Sequence, residues 1–549
     1  MRRGWRADSC DDGHGRGRLC VTRNLLTSRS TKMPAPSAAT FARLADLIAI
    51  PDAADRATRP VVEAFTGREL ATVPVGTAAD ALAAIERARV AQKAWEKRSP
   101  VERAEVFLRY RDLVLEHKDA LMDMAQAETG KSRASAQEEV LDIAMTSRYY
   151  ARLAPKLLRP KRVQGMLPGL TKTVVRHHAK GVVGVISPWN YPMTLAVSDA
   201  IAALLAGNAV VIKPDSQTPY CALACAELLY QAGLPRDLFA VVPGPGSVVG
   251  TALVENTDYL MFTGSTATGR LLAEQAGRRL IGFSAELGGK NPMIVAKGAN
   301  LREVTDAAVR ACFSNSGQLC ISVERIYVEE AVAPEFTRMF GERVRNMSLA
   351  PGYEFGIEMG SLVSEDQVKT VSGHVDDAVA KGATVVAGGK ARPDLGPLFY
   401  EPTVLTGVTP EMECYANETF GPLVSIYPVA DVEEAIARAN DTDYGLNASV
   451  WAGSHAEGEA IAARVMAGTV NVDEGYGPTW GSTAAPMGGM GVSGVGRRHG
   501  SEGLLKYTES QTVATTRVVN LGGPRWFPAK VWAKLLPPFI KAMKLVPGR

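Results

Sequence analysis

Cysteine is scarce in this chain: seven residues in 549, at no regular spacing. That pattern excludes a disulfide framework and suits a reducing, cytoplasmic setting. Histidines are equally few, again seven, and no group of His, Cys and carboxylate stands at metal-ligand spacing. Cys221 and Cys225 lie four apart on an expected helix without further ligands nearby, so they read as packing residues. Internal repeats and low-complexity tracts are absent, and the first 32 residues lack the apolar stretch of a secretory signal. With 46% hydrophobic and 22% charged residues, the composition excludes wholesale disorder and a membrane bundle.

Acidic residues are missing where basic ones gather. Residues 1–32 carry eight Lys/Arg against three Asp, and residues 515–549 carry seven Lys/Arg and no acid. Net charge is +3, so the main body is about −9, which argues against nucleic-acid binding there. The 1–44 stretch reads as an extension outside the fold. Within it, Met33 is the expected start, the preceding residues being a gene-boundary artefact; a disordered basic arm is the alternative. Residues 516–549 read as a basic amphipathic tail, with Trp532, Leu535, Leu536, Phe539, Ile540 and Met543 at helical spacing between lysines. Pro537-Pro538 is expected to interrupt any single helix there. The tail is expected to dock on the protein's own surface or on an oligomer neighbour, with an anionic membrane as the other reading.

What is present is an α/β pattern. Helical periodicity marks 78–95, 100–125 and 133–152. The second opens on Ser99-Pro100-Val-Glu102, which combines an N-cap, a first-turn proline and a capping-box glutamate. Apolar strands at 181–187, 208–213, 238–242 and 259–263 alternate with helices at 192–206, 217–232, 246–255 and 266–278. Such alternation predicts a parallel, doubly wound sheet that binds ligands at the carboxyl ends of its strands. The run Pro243-Gly-Pro-Gly246-Ser-Val-Val-Gly250 is only loosely like a dinucleotide fingerprint. A second α/β unit begins near Glu286, with helices at 301–318, 333–346, 365–381, 431–440 and 455–466.

Two words carry chemistry. Cys320 closes Phe313-Ser-Asn-Ser-Gly-Gln-Leu-Cys320, and Glu286 opens Glu286-Leu-Gly-Gly-Lys290. A thiol and a carboxylate beside glycines suggest a covalent intermediate hydrolysed by a base-activated water. Ser187-Pro-Trp-Asn-Tyr-Pro192, Lys213-Pro214, Phe262-Thr-Gly-Ser265 and Asn417-Glu-Thr-Phe-Gly-Pro422 accompany them in order. Together these words resemble the NAD(P)-dependent aldehyde dehydrogenase superfamily over roughly residues 45–512, and within it the NADP-dependent succinate-semialdehyde dehydrogenases.

The resemblance implies a Rossmann-type cofactor domain over 45–285, with an oligomerisation strand near 160–180, and an α/β catalytic domain over 286–490. A return to the first domain would follow over 491–515, with segment 504–515 and the run Lys172–His178 forming a small oligomerisation sheet. It implies that Cys320 is the nucleophile, that Asn190 and the Cys320 N–H hold the oxyanion, and that Glu286 activates water. Cofactor contacts would come from Ser187, Pro188, Trp189, Asn190, Lys213, Ser216, Gly246, Phe262, Gly264, Ser265, Leu287, Glu418 and Phe420. Ser216 stands where NAD-preferring relatives carry Glu, so NADP is expected, with NAD possible; a helix cap from Gln217 is the other reading of that serine. No metal is expected. The expected protein is a cytoplasmic homodimer or homotetramer acting on a small aldehyde, with succinate semialdehyde as the leading substrate. One departure matters: the arginines that hold a distal carboxylate in that group are here Ser198 and Ser314, with Arg325, Arg497 or Arg498 as candidate replacements. A medium-chain or aromatic aldehyde is therefore the alternative, and a catalytically silent binding protein the remote one.

Overall fold

A computed structural model describes residues 35–166, 171–516 and 520–542. The calls on residues 1–34, Met33 among them, lie outside these residues, as does Met543. Residues 35–44, expected to be part of an extension outside the fold, instead lead into helix Ala38–Ala45, which Ser37 caps and which buries Phe41 and Leu44 in the core. Two parallel sheets organise the chain. In the first, Val182–Ile186 is central. Ala209–Lys213 and Phe239–Val241 follow on one side, and Tyr259–Thr263 and Gly282–Glu286 on the other. Gly494–Val495 closes that second edge antiparallel. The order reverses at the central strand, which opens a crevice at the carboxyl ends. The strands are buried on both faces because helices cover both sides, and this is why they read as unbroken apolar runs.

After Glu286 the chain leaves this sheet, and at Asn291–Val295 it enters the second, seven-stranded one. That sheet runs from Thr384–Ala387 at one edge to Thr469–Val472 at the other, parallel except for the first strand. A third, antiparallel sheet pairs Thr508–Thr516 with Thr171–Ala179 and then Lys161–Val163. Most of Thr508–Thr516 is exposed, which leaves a long unpaired edge.

Several elements differ from expectation. The stretch 100–125 is two helices, Pro100–Glu116 and Lys118–Thr129, divided at His117. Ser99 and Glu102 do form the reciprocal capping box. Helix 301–318 stops at Phe313, because Asn315 and Ser316 take left-handed angles. Segment 504–515 begins as a short helix, Glu502–Leu505, before its strand. The tail forms one helix, Ala529–Ala542, straight through Pro537 and Pro538. At 100° per residue, about 3.6 per turn, both prolines flank the lysine side of that helix. The carbonyls of Ala533 and Lys534, which lose their helical donors, therefore face the polar side and need no intrahelical partner. Among the described residues, no helix is long and apolar enough to cross a membrane.

Candidate active site

The first sheet delivers its functional side chains from the carboxyl ends of neighbouring strands. Ser187 to Asn190 follow the central strand, Lys213 ends the next, Gly264 and Ser265 follow the fourth, and Glu286 ends the fifth. Ser265 caps helix Thr266–Arg279 by accepting the Thr268 N–H. Gly246 opens a wide helical turn with nothing near the place of a Cβ.

The cysteine arrives from the other sheet. After Phe313 the chain turns through Asn315, Ser316 and Gly317 at φ 52°, 57° and 71°. A side chain at Gly317 would meet the Gly421 carbonyl at 2.1 Å, so the turn packs backbone to backbone. Its polar groups grip Asn190. Asn315 Nδ2 donates to the Asn190 carbonyl at 2.9 Å, and Asn190 Nδ2 donates to the Gln318 carbonyl at 3.1 Å. Lys131 Nζ donates to the same Asn190 carbonyl at 2.8 Å and pairs with Glu139, both side chains fully buried. Glu139 in turn accepts the backbone N–H groups of Met193 and Thr194.

Asn190 and Cys320 line one narrow cavity of about 30 Å³. Its walls are mostly apolar, with Leu195, Leu319, Ile321 and Met487 prominent, and Arg498 also borders it. Burial lifts the Glu286 carboxyl to about 7, against the opposing pull of Arg498 and Lys506. Burial, with Glu286 and Glu418 adding repulsion, pushes the Cys320 thiol up to about 12. Two carboxyl groups facing the sulfur thus disfavour the thiolate in the protein alone.

Glu418 accepts the Gly289 N–H at 2.8 Å, and burial with nearby Glu324 raises it to about 8. A Cβ on Gly288 would fall 2.4 Å from the Glu418 carboxylate, so that glycine is what admits it. Phe420, at φ 51°, meets Trp189 edge to face at 5.4 Å. Lys213 is buried, donates to the Pro214 carbonyl at 3.0 Å, and is lowered by that burial. Ser216 sits in a turn ahead of helix Pro219–Gln231, whose N-cap is Thr218. The capping role suggested for Ser216 is thus excluded. Asp215 turns back onto the Gln217 N–H at 2.9 Å, an Asx turn.

Both serines at the missing arginine positions are engaged. Ser198 Oγ donates to Asp142 at 2.6 Å, and Ser314 Oγ shares a hydrogen bond with the Tyr476 hydroxyl at 2.8 Å. Arg325 is spent on the carbonyls of Lys290, Arg438 and Ala439, and Arg497 on those of Gly489 and Gly496. Arg498 is paired with Asp199, which also accepts from Lys506 and Tyr507. Burial would raise Asp199, but the two cations hold it well below the carboxylate range. The Arg498 Nε itself is buried without a protein partner. Sequence reasoning missed Glu138, which borders the cavity and is held by Tyr191, Tyr476 and Arg310. An acid inside a long amphipathic helix offers no signal of this role.

Residues present fit a dinucleotide. Ser187 Oγ is buried without a protein partner beside the crevice, and a cleft of about 590 Å³ joins Ser265 to Glu418. Among the described residues no cluster of three or more potential metal ligands occurs.

The aldehyde dehydrogenase family model matches residues 51–513. A Mycolicibacterium smegmatis protein named "Putative succinate-semialdehyde dehydrogenase (NADP(+))" is 71% identical over 517 residues, 94% of this chain and all of that one. A Mycobacterium tuberculosis protein similarly named, with the suffix 2, is 69% identical over the same shares. Among solved structures, a Brucella melitensis aldehyde dehydrogenase has a TM-score of 0.80 at 32% identity, covering 85% of this chain and 95% of its own. A Staphylococcus aureus betaine aldehyde dehydrogenase point mutant in complex with NAD+ has a TM-score of 0.83 at 31% identity, covering 90% and 100%.

Proposed function

This chain belongs to the aldehyde dehydrogenase family, and on that premise we propose that it oxidises succinate semialdehyde to succinate with NADP. The observation that carries the chemistry is the shared cavity of Asn190 and Cys320, with Glu286 close enough to raise the thiol. The names of the relatives at 69–71% identity support the substrate and the cofactor. The six-stranded unit is read as the cofactor-binding domain and the seven-stranded unit as the catalytic one. The exposed edge of Thr508–Thr516 suits a homo-oligomer, and the five described free thiols suit the cytoplasm.

Cys320 Sγ gives its proton to solvent and adds as the thiolate to the aldehyde carbon, and negative charge develops on the carbonyl oxygen. Asn190 Nδ2 has two hydrogens; Gln318 holds one, fixing the amide plane, and the other is available to that oxygen together with the Cys320 N–H. A bound nicotinamide supplies the hydride acceptor and a positive ring charge. Its ribose would be held by Glu418, its diphosphate by the turn at Gly264 and Ser265, and its adenosine end by Lys213 and Ser216. Loss of hydride leaves a thioester on Cys320. Glu286 then takes a proton from water, hydroxide attacks the thioester carbon, and the thiolate leaves as the acid is released.

Two expected results follow. Since Glu286 must be ionised to act, the hydrolytic step should slow about tenfold per pH unit below about 7 and level above it. Rapid-quench measurement of thioester decay against pH checks this; a flat profile from pH 5.5 to 8 removes Glu286 as the base. For the cofactor, Ser216→Glu should cut NADP efficiency about a hundredfold while leaving NADH formation from NAD nearly unchanged, because a carboxylate repels the 2′-phosphate. Equal kcat/KM ratios in parent and variant would exclude Ser216 from cofactor choice.

One observation favours a second reading, a medium-chain or aromatic aldehyde. The cavity is mostly apolar, and Ser198 and Ser314 are committed elsewhere. A distal carboxylate would need a cation there. An initial-rate panel of succinate semialdehyde, hexanal and benzaldehyde, each with NAD and NADP, separates the readings. The highest kcat/KM with succinate semialdehyde and NADP upholds the first; hexanal or benzaldehyde ahead overturns it.

A further inference from the structure

The helix Ala529–Ala542 has no buried residue, although its apolar content is high. Val531 is 44% exposed, Leu535 51%, Phe539 44% and Ile540 54%. What order it has comes from its own leader. Trp532 Nε1 donates to the Leu521 carbonyl at 2.9 Å, its ring covers Gly523, and Phe527 meets it edge to face. Among the described residues, a groove of about 620 Å³ beside the helix is lined only by ones between Leu521 and Lys541. The expected docking on the protein's own surface is therefore not what the structure presents.

Placed on a helical wheel, Lys530, Lys534 and Lys541 fall within an arc of about 40°. Val531, Trp532, Leu535, Leu536, Phe539 and Ile540 span about 180° centred opposite them. Residues 515–549 add seven positive charges and no negative one. We propose that this tail helix lies in the headgroup region of an anionic lipid bilayer, apolar face down, and tethers the enzyme to a membrane surface.

A second copy of the chain is the competing occupant, and the geometry disfavours it. A protein surface covers one side of a helix, so lysines diametrically opposite the apolar face would point away from the acidic body that would pair with them. In a bilayer the helix sinks to the acyl boundary and phosphates stand around its upper half, so both faces find partners. Trp526, 82% exposed, adds an aromatic of the kind that settles at a membrane–water interface.

Flotation tests this with the full-length enzyme and vesicles of phosphatidylcholine, with and without about one third phosphatidylglycerol. The enzyme should float with the anionic vesicles and at least tenfold less with the neutral ones. Lys534→Glu should weaken flotation more than fivefold, since each basic residue contributes about a fivefold factor. The Leu535→Glu/Phe539→Glu variant should fail to float while its dehydrogenase activity in solution matches the parent, which shows that it folds. Absence of flotation by the parent, or equal flotation by the double variant, overturns the proposal. So does a double variant that loses subunits by light scattering while the parent stays off the vesicles, a result that would assign the face to a second copy.

Discussion

Replacing Cys320 by alanine should remove dehydrogenase turnover altogether, a loss on the order of 10⁶-fold, as when a covalent nucleophile is deleted. Neither Asn190 nor Glu286 can substitute, because both act on an adduct that only the sulfur forms. Glu286→Gln should behave differently. Addition and hydride loss do not need the carboxylate, so one equivalent of reduced cofactor should appear in a burst. Steady turnover should then fall about 10²- to 10⁴-fold, the usual contribution of a positioned base. Stopped-flow absorbance of the reduced nicotinamide reads both phases. A Gln variant turning over at the parental rate would assign the base elsewhere. A further signature follows from charge: with one of the two facing carboxylates neutralised, the Cys320 thiol should ionise more readily. Alkylation of the Gln variant should then proceed faster than that of the parent at neutral pH, even while turnover is stalled.

Lys131→Met should destabilise the whole fold. The variant leaves the Glu139 carboxylate buried with two backbone donors and no cation, and breaking such a pair costs about 3–5 kcal/mol. It also releases the Asn190 carbonyl from one of its two side-chain donors, so kcat should fall as well. The double variant Lys131→Met/Glu139→Gln should regain much of the stability, since the uncompensated charge is gone, but not the activity. Denaturant midpoints and single-turnover rates separate the two effects. A Met variant as stable as the parent would mean that the pair holds nothing together.

These residues also mark where the sequence stops being readable. Cys320, Glu286, Asn190 and Glu418 sit in short words whose glycines and prolines are needed for close backbone approach, and such words survive as text. Gly288 and Gly317 are examples: a Cβ at either would collide with Glu418 or with the Gly421 carbonyl. The strands were legible because burial on both faces makes them continuously apolar. Lys131 and Glu139 were not, because a lysine and a glutamate eight apart look like solvated surface until the fold encloses them. The break at His117 has no glycine or proline beside it, and Gly317 comes only after the left-handed Asn315 and Ser316, so periodicity ran past both. The continuous tail helix failed for the opposite reason. Pro537 and Pro538 usually stop a helix, but here the carbonyls they orphan face outward.

The hold on Asn190 has a mechanical consequence. Asn190 hangs from the six-stranded sheet, whereas Asn315 and Gln318 belong to the turn that feeds the seven-stranded one. Their bonds tie the two sheets together where sulfur meets carbonyl, within a seam that Arg310 and Tyr476 extend through Glu138. If the sheets rock against each other, the tie is the pivot. Arg310, held to Glu138 across the same seam, limits that motion further. The bond-making atoms stay in register throughout.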